Sequence, residues 1–313
     1  MQEKVYEKPR IGGQAVIEGV MIRNRYMYSI AVRKPDGTID VVKKSIHSPA
    51  QKHKIFRAPF VRGVTSLVEN LVLGIKSLLY SAEIALPEDE NKKQKKKEGA
   101  SAILIGFGLI PALALGVGLF MVIPNLSTHF LGIIETESPF VFNIVAGGIR
   151  LAVFLLYILV ISYMKDIKRT FEYHGAEHKS IFCFESERPL VPEEAQQFKT
   201  LHPRCGTSFL FFVLFIAIII FPLFTIAVQA VYPDFAFLPL AYRKLITLFL
   251  HLFIALPLIA SLSYEMLKLS DRFRESFIMK LLILPGLLLQ KITTREPDEE
   301  QIEVALAAVK AVL

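Results

Sequence analysis

Glu-Tyr-His-Gly-Ala-Glu-His-Lys at 172–179 and His-Pro-Arg-Cys-Gly-Thr at 202–207 stand between long apolar segments on either side. The stretch places two histidines four residues apart, a glutamate between them, and a His/Cys pair downstream. Metal-seeking residues against apolar flanks read as a site held at one face of a membrane by a bundle of helices.

On a helix, residues four apart share a face and lie about 6 Å apart along the axis. His174 and His178 can therefore reach one ion, with Glu177 beside the second histidine. His-x-x-Glu-His is the inverzincin order of a zinc-hydrolase helix. That chemistry needs neutral imidazoles as ligands, an open coordination position, and a carboxylate that takes a proton from water. His202 and Cys205 add a nitrogen and a sulfur, a donor set that suits zinc better than magnesium or calcium.

Two other readings use the same residues. His174, His178, His202 and Cys205 together make a closed four-ligand set, the structural kind of zinc site. Without a metal, Glu172, Glu177, Lys179 and Arg204 make a surface ion network. Glu265 is either an extra carboxylate ligand or an interfacial charge, and Cys183 reads as a small packed residue.

Outward from this stretch, apolar runs dominate. The chain has 313 residues, 53% of them hydrophobic, and a mean hydropathy of +0.45. Four runs are long enough to cross a bilayer, at about 101–123, 141–164, 207–231 and 244–264. Pro124 and Asn125 are expected to end the first. Residues 125–140 and 232–242 carry no lysine or arginine, whereas Lys165, Lys168 and Arg169 follow the second run and Lys268, Arg272 and Arg274 the fourth. By the positive-inside rule both termini and the motif region face the cytoplasm, where Cys183 and Cys205 stay reduced. The net charge of +7 and pI near 9.2 are then cytoplasmic charge beside anionic lipid, and no nucleic-acid partner is expected. The first forty residues are charged and mixed and show no cleavable signal. Arg150 falls inside the second run, so it faces the bundle or water, unless the helix starts late and the side chain snorkels.

Residues 1–57 read as a β-rich cap. Met27 to Arg33 predicts a strand, Lys34-Pro35-Asp36-Gly37 a turn, and Thr38 to Ile46 the returning arm of a hairpin. Gly12 to Gly19 lacks the Gly-Lys-Ser/Thr ending of a phosphate loop, so its glycines read as tight backbone turns. Within 58–100, Arg62, Glu69, Lys76 and Glu83 recur every seven residues. They form one charged stripe on a helix suited to the membrane surface or the edge of a bundle, and a lysine-rich loop follows at 88–98. Within 265–313, the apolar run 277–290 predicts an interfacial helix. Asp298, with Gln301 three residues later, predicts the N-cap of a short amphipathic helix.

Gly-Gly-Gln-Ala-Val-Ile-Glu-Gly-Val-Met at 12–21, His-Gly-Ala-Glu-His-Lys at 174–179 and His-Pro-Arg-Cys-Gly-Thr at 202–207 together resemble the YqhQ-like family of bacterial membrane proteins. The resemblance covers about residues 10–290 and implies membrane residence and a metal-dependent enzyme. Motif by motif it points to His174, Glu177, His178, His202 and Cys205, and it draws attention to Gln14 and Glu18.

The expectation is a mainly α, polytopic helical membrane protein with about four spans and a small N-terminal β-rich cap. Paired spans at 101–164 and 207–264 flank a metal-motif segment at 165–206. The expected activity is a zinc-dependent hydrolase, for instance a peptidase, acting on a protein or lipid substrate at the cytoplasmic face of the cell membrane. The alternative is a non-enzymatic scaffold or transport component with a structural zinc.

Overall fold

Four short strands pair in chain order as an antiparallel meander: β1 (Gly12–Val16), β2 (Gly19–Arg23), β3 (Met27–Arg33) and β4 (Ile39–Ser45). They belong to a computed structural model that describes residues 10–86, 110–135, 137–273 and 275–313. The β3–β4 hairpin forms where the turn residues predict it. Lys34 N–H donates to the Thr38 carbonyl at 2.8 Å, and the Asp36 carboxylate accepts from the Thr38 amide at 2.9 Å. Gly12 to Gly19 behaves differently from the expected glycine turns. Val16 pairs with Gly19, so the bend falls on Ile17 and Glu18, and it is Glu18 that has the positive φ of 51°. Gly19 is required by close approach instead, because a Cβ there would lie 2.2 Å from the Ala31 carbonyl.

Strand alternation sends side chains to two faces, and both are covered. Val16, Met21, Tyr28, Ile30 and Val32 pack under Leu73, Tyr80 and Ile84 of α1 (Val61–Ile84). Val20, Ile22 and Ala31 pack on the opposite face with the C-terminal helix and the motif helix. Double coverage explains why β2 reads as a continuous apolar run rather than an alternating one.

Among the described residues, four helices are long and apolar enough to cross a membrane. They are α2 (Ile110–Phe130), α3 (Pro139–Ile161), α5 (Gly206–Val231) and the Leu245–Ser270 part of α6 (residues 240–272). The motif helix α4 (Lys165–Glu185) leaves the end of α3 after a short break. Two further helices, α7 (Phe277–Thr293) and α8 (Glu299–Val312), finish the chain. The lysine-rich stretch 88–98 and the first part of the expected first span lie outside the described residues.

The first span does not stop at Pro124. The helix continues to Phe130 through a π-turn at Gly118–Val122, in which the Ile123 amide bonds the Gly118 carbonyl. Proline lacks the N–H that would bond the carbonyl four residues back. That carbonyl belongs to Phe120, and Arg150 Nε donates to it at 2.7 Å. Arg150 thus faces the bundle, in the fourth turn of a helix that starts at Pro139, and supplies a donor where the bilayer supplies none. A late-starting helix with a snorkelling arginine is not what forms.

Helix α8 opens as the sequence predicts. Asp298 accepts from the Gln301 amide at 2.8 Å, and Gln301 accepts from the Asp298 amide at 3.0 Å. Ile302, Ala305, Leu306 and Val309 are then fully buried against the sheet and α4. The N-terminal sheet, α4 and the C-terminal helix therefore form one body.

Candidate metal centre

Helix α4 carries His174, Glu177 and His178 on adjacent positions of one face, because three and four residues make one turn. The downstream motif folds back onto it. Cys205 is the N-cap of α5, its sulfur accepting from the Thr207 amide at 3.4 Å, so the thiol sits at the mouth of a membrane-spanning helix. His174 Nε2 lies 3.1 Å from that sulfur, and the ligand-competent atoms of His174, His178 and Cys205 all lie within 4.8 Å of one another.

Both α4 imidazoles are held in the same tautomer. His174 Nδ1 meets the Thr293 carbonyl at 2.8 Å, and His178 Nδ1 meets the Thr200 carbonyl. A carbonyl only accepts, so each Nδ1 carries the proton and each Nε2 presents a lone pair. This is how metal-ligating histidines are oriented by their outer hydrogen bonds. His178 Nε2 is buried with no hydrogen-bond partner, and so is one oxygen of Glu177, Oε2. Orphaned buried acceptors are costly, and a cation among His174, His178 and Cys205 would satisfy the imidazole. On these grounds the residues present fit a soft-to-borderline metal such as zinc.

The electrostatics follow from burial. Glu177 is pushed up to about 8, chiefly because its carboxylate is removed from water, while the nearby His174 and a hydrogen bond from the Gly13 amide pull the other way. Burial drives His178 below the usual histidine range, towards the neutral form a metal requires. Burial opposes ionisation of Cys205, while the hydrogen bonds from Thr207 favour the thiolate.

The other sequence candidates go elsewhere. His202 is buried near His178, with ring centroids 5.6 Å apart, but its Nδ1 accepts from the Arg204 amide at 3.2 Å and its Nε2 turns to Glu185 at 3.7 Å. Its lone pair is thereby used, and it does not join the three-residue cluster. Gln290 clamps its main chain, accepting from the His202 amide at 2.8 Å and donating to the His202 carbonyl at 2.9 Å. Glu265 is an ion-pair partner, forked by Arg62. Glu18 pairs with Arg169 and accepts from the Tyr173 hydroxyl at 3.2 Å. Gln14 donates to the Gly74 carbonyl at 3.3 Å, joining β1 to α1. Arg150 stays among the spans, and Cys183 rests on the Pro189 carbonyl at 3.3 Å. The residues of the alternative ion network pair outside it: Arg204 with Glu185, Lys179 with Glu296 at 2.9 Å and Glu172 with Lys168 at 3.9 Å, while Glu177 is buried.

Several contributors gave no sequence signal of their own. Thr200 and Thr293 act through carbonyls, which every residue carries. Gln290 had a signal that could have been read: it is the one polar residue closing an otherwise apolar segment, 281–290. Gly13 is needed because a Cβ there would lie 2.3 Å from the Met21 carbonyl and 3.1 Å from Glu177 Oε1.

Comparison with known proteins agrees with the motif pattern. Residues 58–313 match a family described as a protein of unknown function, DUF1385. The chain is 33% identical over 315 residues to a Bacillus subtilis protein described as uncharacterized protein YqhQ, an alignment covering 97% of this chain and 92% of that one. No solved structure matches. With similarity running through the spans, the motif helix and the C-terminal helix, the chain belongs to the YqhQ-like, DUF1385 family.

Proposed function

We propose that the protein is a zinc-dependent hydrolase at the cytoplasmic face of the cell membrane, acting on a peptide or lipid substrate. The donor count carries this reading. Three ligand-competent side chains converge, while His202 is turned into hydrogen bonds of its own. Three protein ligands with one position open is the pattern of catalytic zinc sites, whereas structural sites close with four. A bound zinc supplies Lewis-acid activation of water and of an acyl or phosphoryl group.

The chain's own residues supply the rest. His174 and His178 offer Nε2 lone pairs fixed by two carbonyls, and Cys205 offers its sulfur from the N-cap of α5. Glu177 is adjacent to the ligands without being one of the three, and it is assigned as the general base. The Gly13 amide steadies this carboxylate and leaves Oε2 unpartnered. The cytoplasmic assignment is supported by the basic residues Lys165, Lys168 and Arg169 at the start of α4.

The test is zinc-dependent turnover by the purified protein in lipid vesicles, read on pools of peptides and of glycerophospholipid esters. Chelation is expected to stop turnover and added zinc to restore it, with Glu177→Gln retaining zinc but not turnover. Equal turnover by Glu177→Gln would falsify the base assignment. Zinc that raises stability without any turnover would favour the non-enzymatic scaffold instead.

A further inference from the structure

We infer that the outer face of α1 lies among the acyl chains of the membrane leaflet nearest the sheet, clamping the sheet and the metal cluster to the bilayer surface. The helix is turned inside out relative to one packed in water. Its buried residues are small, namely Gly63, Gly74, Ser77 and Ser81. Apart from Leu73 and Ile84, which pack on the sheet, a row of its aliphatic residues points away from the protein: Val68 is 53% exposed, Leu71 60%, Ile75 50% and Leu79 64%. At offsets of three, seven and eleven these four form one continuous stripe. Arg62, Glu69, Lys76 and Glu83 run along the flank between the two faces. Arg62 and Glu69 are tied inward to Glu265 and Ser48, while Lys76 has the long stem that lets an ammonium reach headgroup level.

Three observations select lipid as the occupant. The first turn of α1 is fixed directly on a membrane-spanning helix. Ser261 Oγ donates to the Phe60 carbonyl at 2.7 Å, Arg62 forks onto Glu265, and Gly63 lies so close that a Cβ would be 2.7 Å from Ser261 Cα. Ser261 and Glu265 both belong to the Leu245–Ser270 span, so the aliphatic stripe continues a surface already in the bilayer. The segment just before the helix adds charge complementarity to anionic headgroups: exposed Lys52 and Lys54, and Arg57, surround Ile55, which is 66% exposed. This inference rests on the spans and is independent of the metal.

The chain contains no tryptophan, so a single introduced one is a clean reporter. Leu71→Trp and Leu79→Trp are placed one at a time in the full chain, reconstituted in phosphatidylcholine–phosphatidylglycerol vesicles with brominated acyl chains. Emission is expected to fall at least twofold relative to unbrominated vesicles. Tyr26→Trp, in the turn between β2 and β3 and 59% exposed in the native side chain, is the control and is expected to keep its emission. Quenching at 71 and 79 no greater than at 26 overturns the inference. Ile75→Cys, probed with a bifunctional maleimide in the same vesicles, gives the second reading. Recovery of monomer supports lipid as the occupant, and a cross-linked dimer shows a second copy on this face and overturns it.

Discussion

His174 Nε2 stands 3.1 Å from Cys205 Sγ, joining the middle of α4 to the residue that begins α5. Two segments separated by a bend and a short helix thus meet at the point where the chain enters its third span. Any ion held there is held by the bundle as much as by the motif helix.

Zinc content separates ligands from neighbours. His174→Ala, His178→Ala and Cys205→Ala are each expected to reduce bound zinc from about one per chain to a small fraction. His202→Ala is expected to keep it, because that imidazole is engaged with Arg204 and Glu185. Elemental analysis of the purified variants decides this. If His202→Ala loses zinc as fully as His174→Ala, the three-ligand arrangement is wrong.

Removing the metal is expected to cost stability as well. A ligand present at a hundred times its dissociation constant stabilises the folded state by about 2.7 kcal/mol. Chelator is therefore expected to lower Tm by several degrees in the native protein and by much less in Cys205→Ala. Equal shifts in the two proteins would mean that the chelator acts elsewhere.

Glu177→Gln preserves shape and removes the base. Turnover is expected to fall by roughly 10²–10⁴, the usual worth of general-base catalysis, with zinc unchanged. Activity and metal are to be measured on the same preparation.

Arg150 and Pro124 are expected to be coupled through the Phe120 carbonyl. Arg150→Leu leaves the Phe120 carbonyl without its donor, a loss of about 1–3 kcal/mol for a buried polar group. Pro124→Ala restores an amide that can bond that carbonyl within the helix. The double variant is expected to be more stable than Arg150→Leu alone, with a coupling of about 1 kcal/mol in a thermal double-mutant cycle. Additive losses would count against the assignment.

The apolar side of α8 is core rather than interface. Leu306→Ala is expected to destabilise the sheet domain by about 2–5 kcal/mol, the range for deleting a buried leucine side chain. Limited proteolysis between β4 and α1 reads it out: faster cleavage is expected, and an unchanged rate would argue that α8 is peripheral.

Much of this architecture was legible in advance, for identifiable reasons. Spans announce themselves by length and apolarity, and the Lys34–Thr38 turn and the Asp298–Gln301 cap are local chemistry. The His174/His178 pair was readable because helical spacing alone places both on one face. What escaped depended on contacts distant in sequence. Pro124 looked like a stop because its compensating donor, Arg150, lies on another helix. The engagement of His202 with Arg204 and Glu185 could not be read either, because no local rule shows it. Gly13 and Gly19 looked like turn residues because close approach of strand and carbonyl cannot be seen until the sheet is assembled.

The burial of α8 against β2 and β3 also has a consequence for how the chain is made. The sheet leaves the ribosome long before the helix that completes its core. At about 5–20 residues per second of synthesis, the strands wait tens of seconds, while all four spans are inserted, before their second face can be covered. Folding of this body therefore cannot finish until α8 has been made. A chain cut short before Asp298 would carry every span and every proposed ligand, yet leave the newborn sheet open to chaperones and proteases.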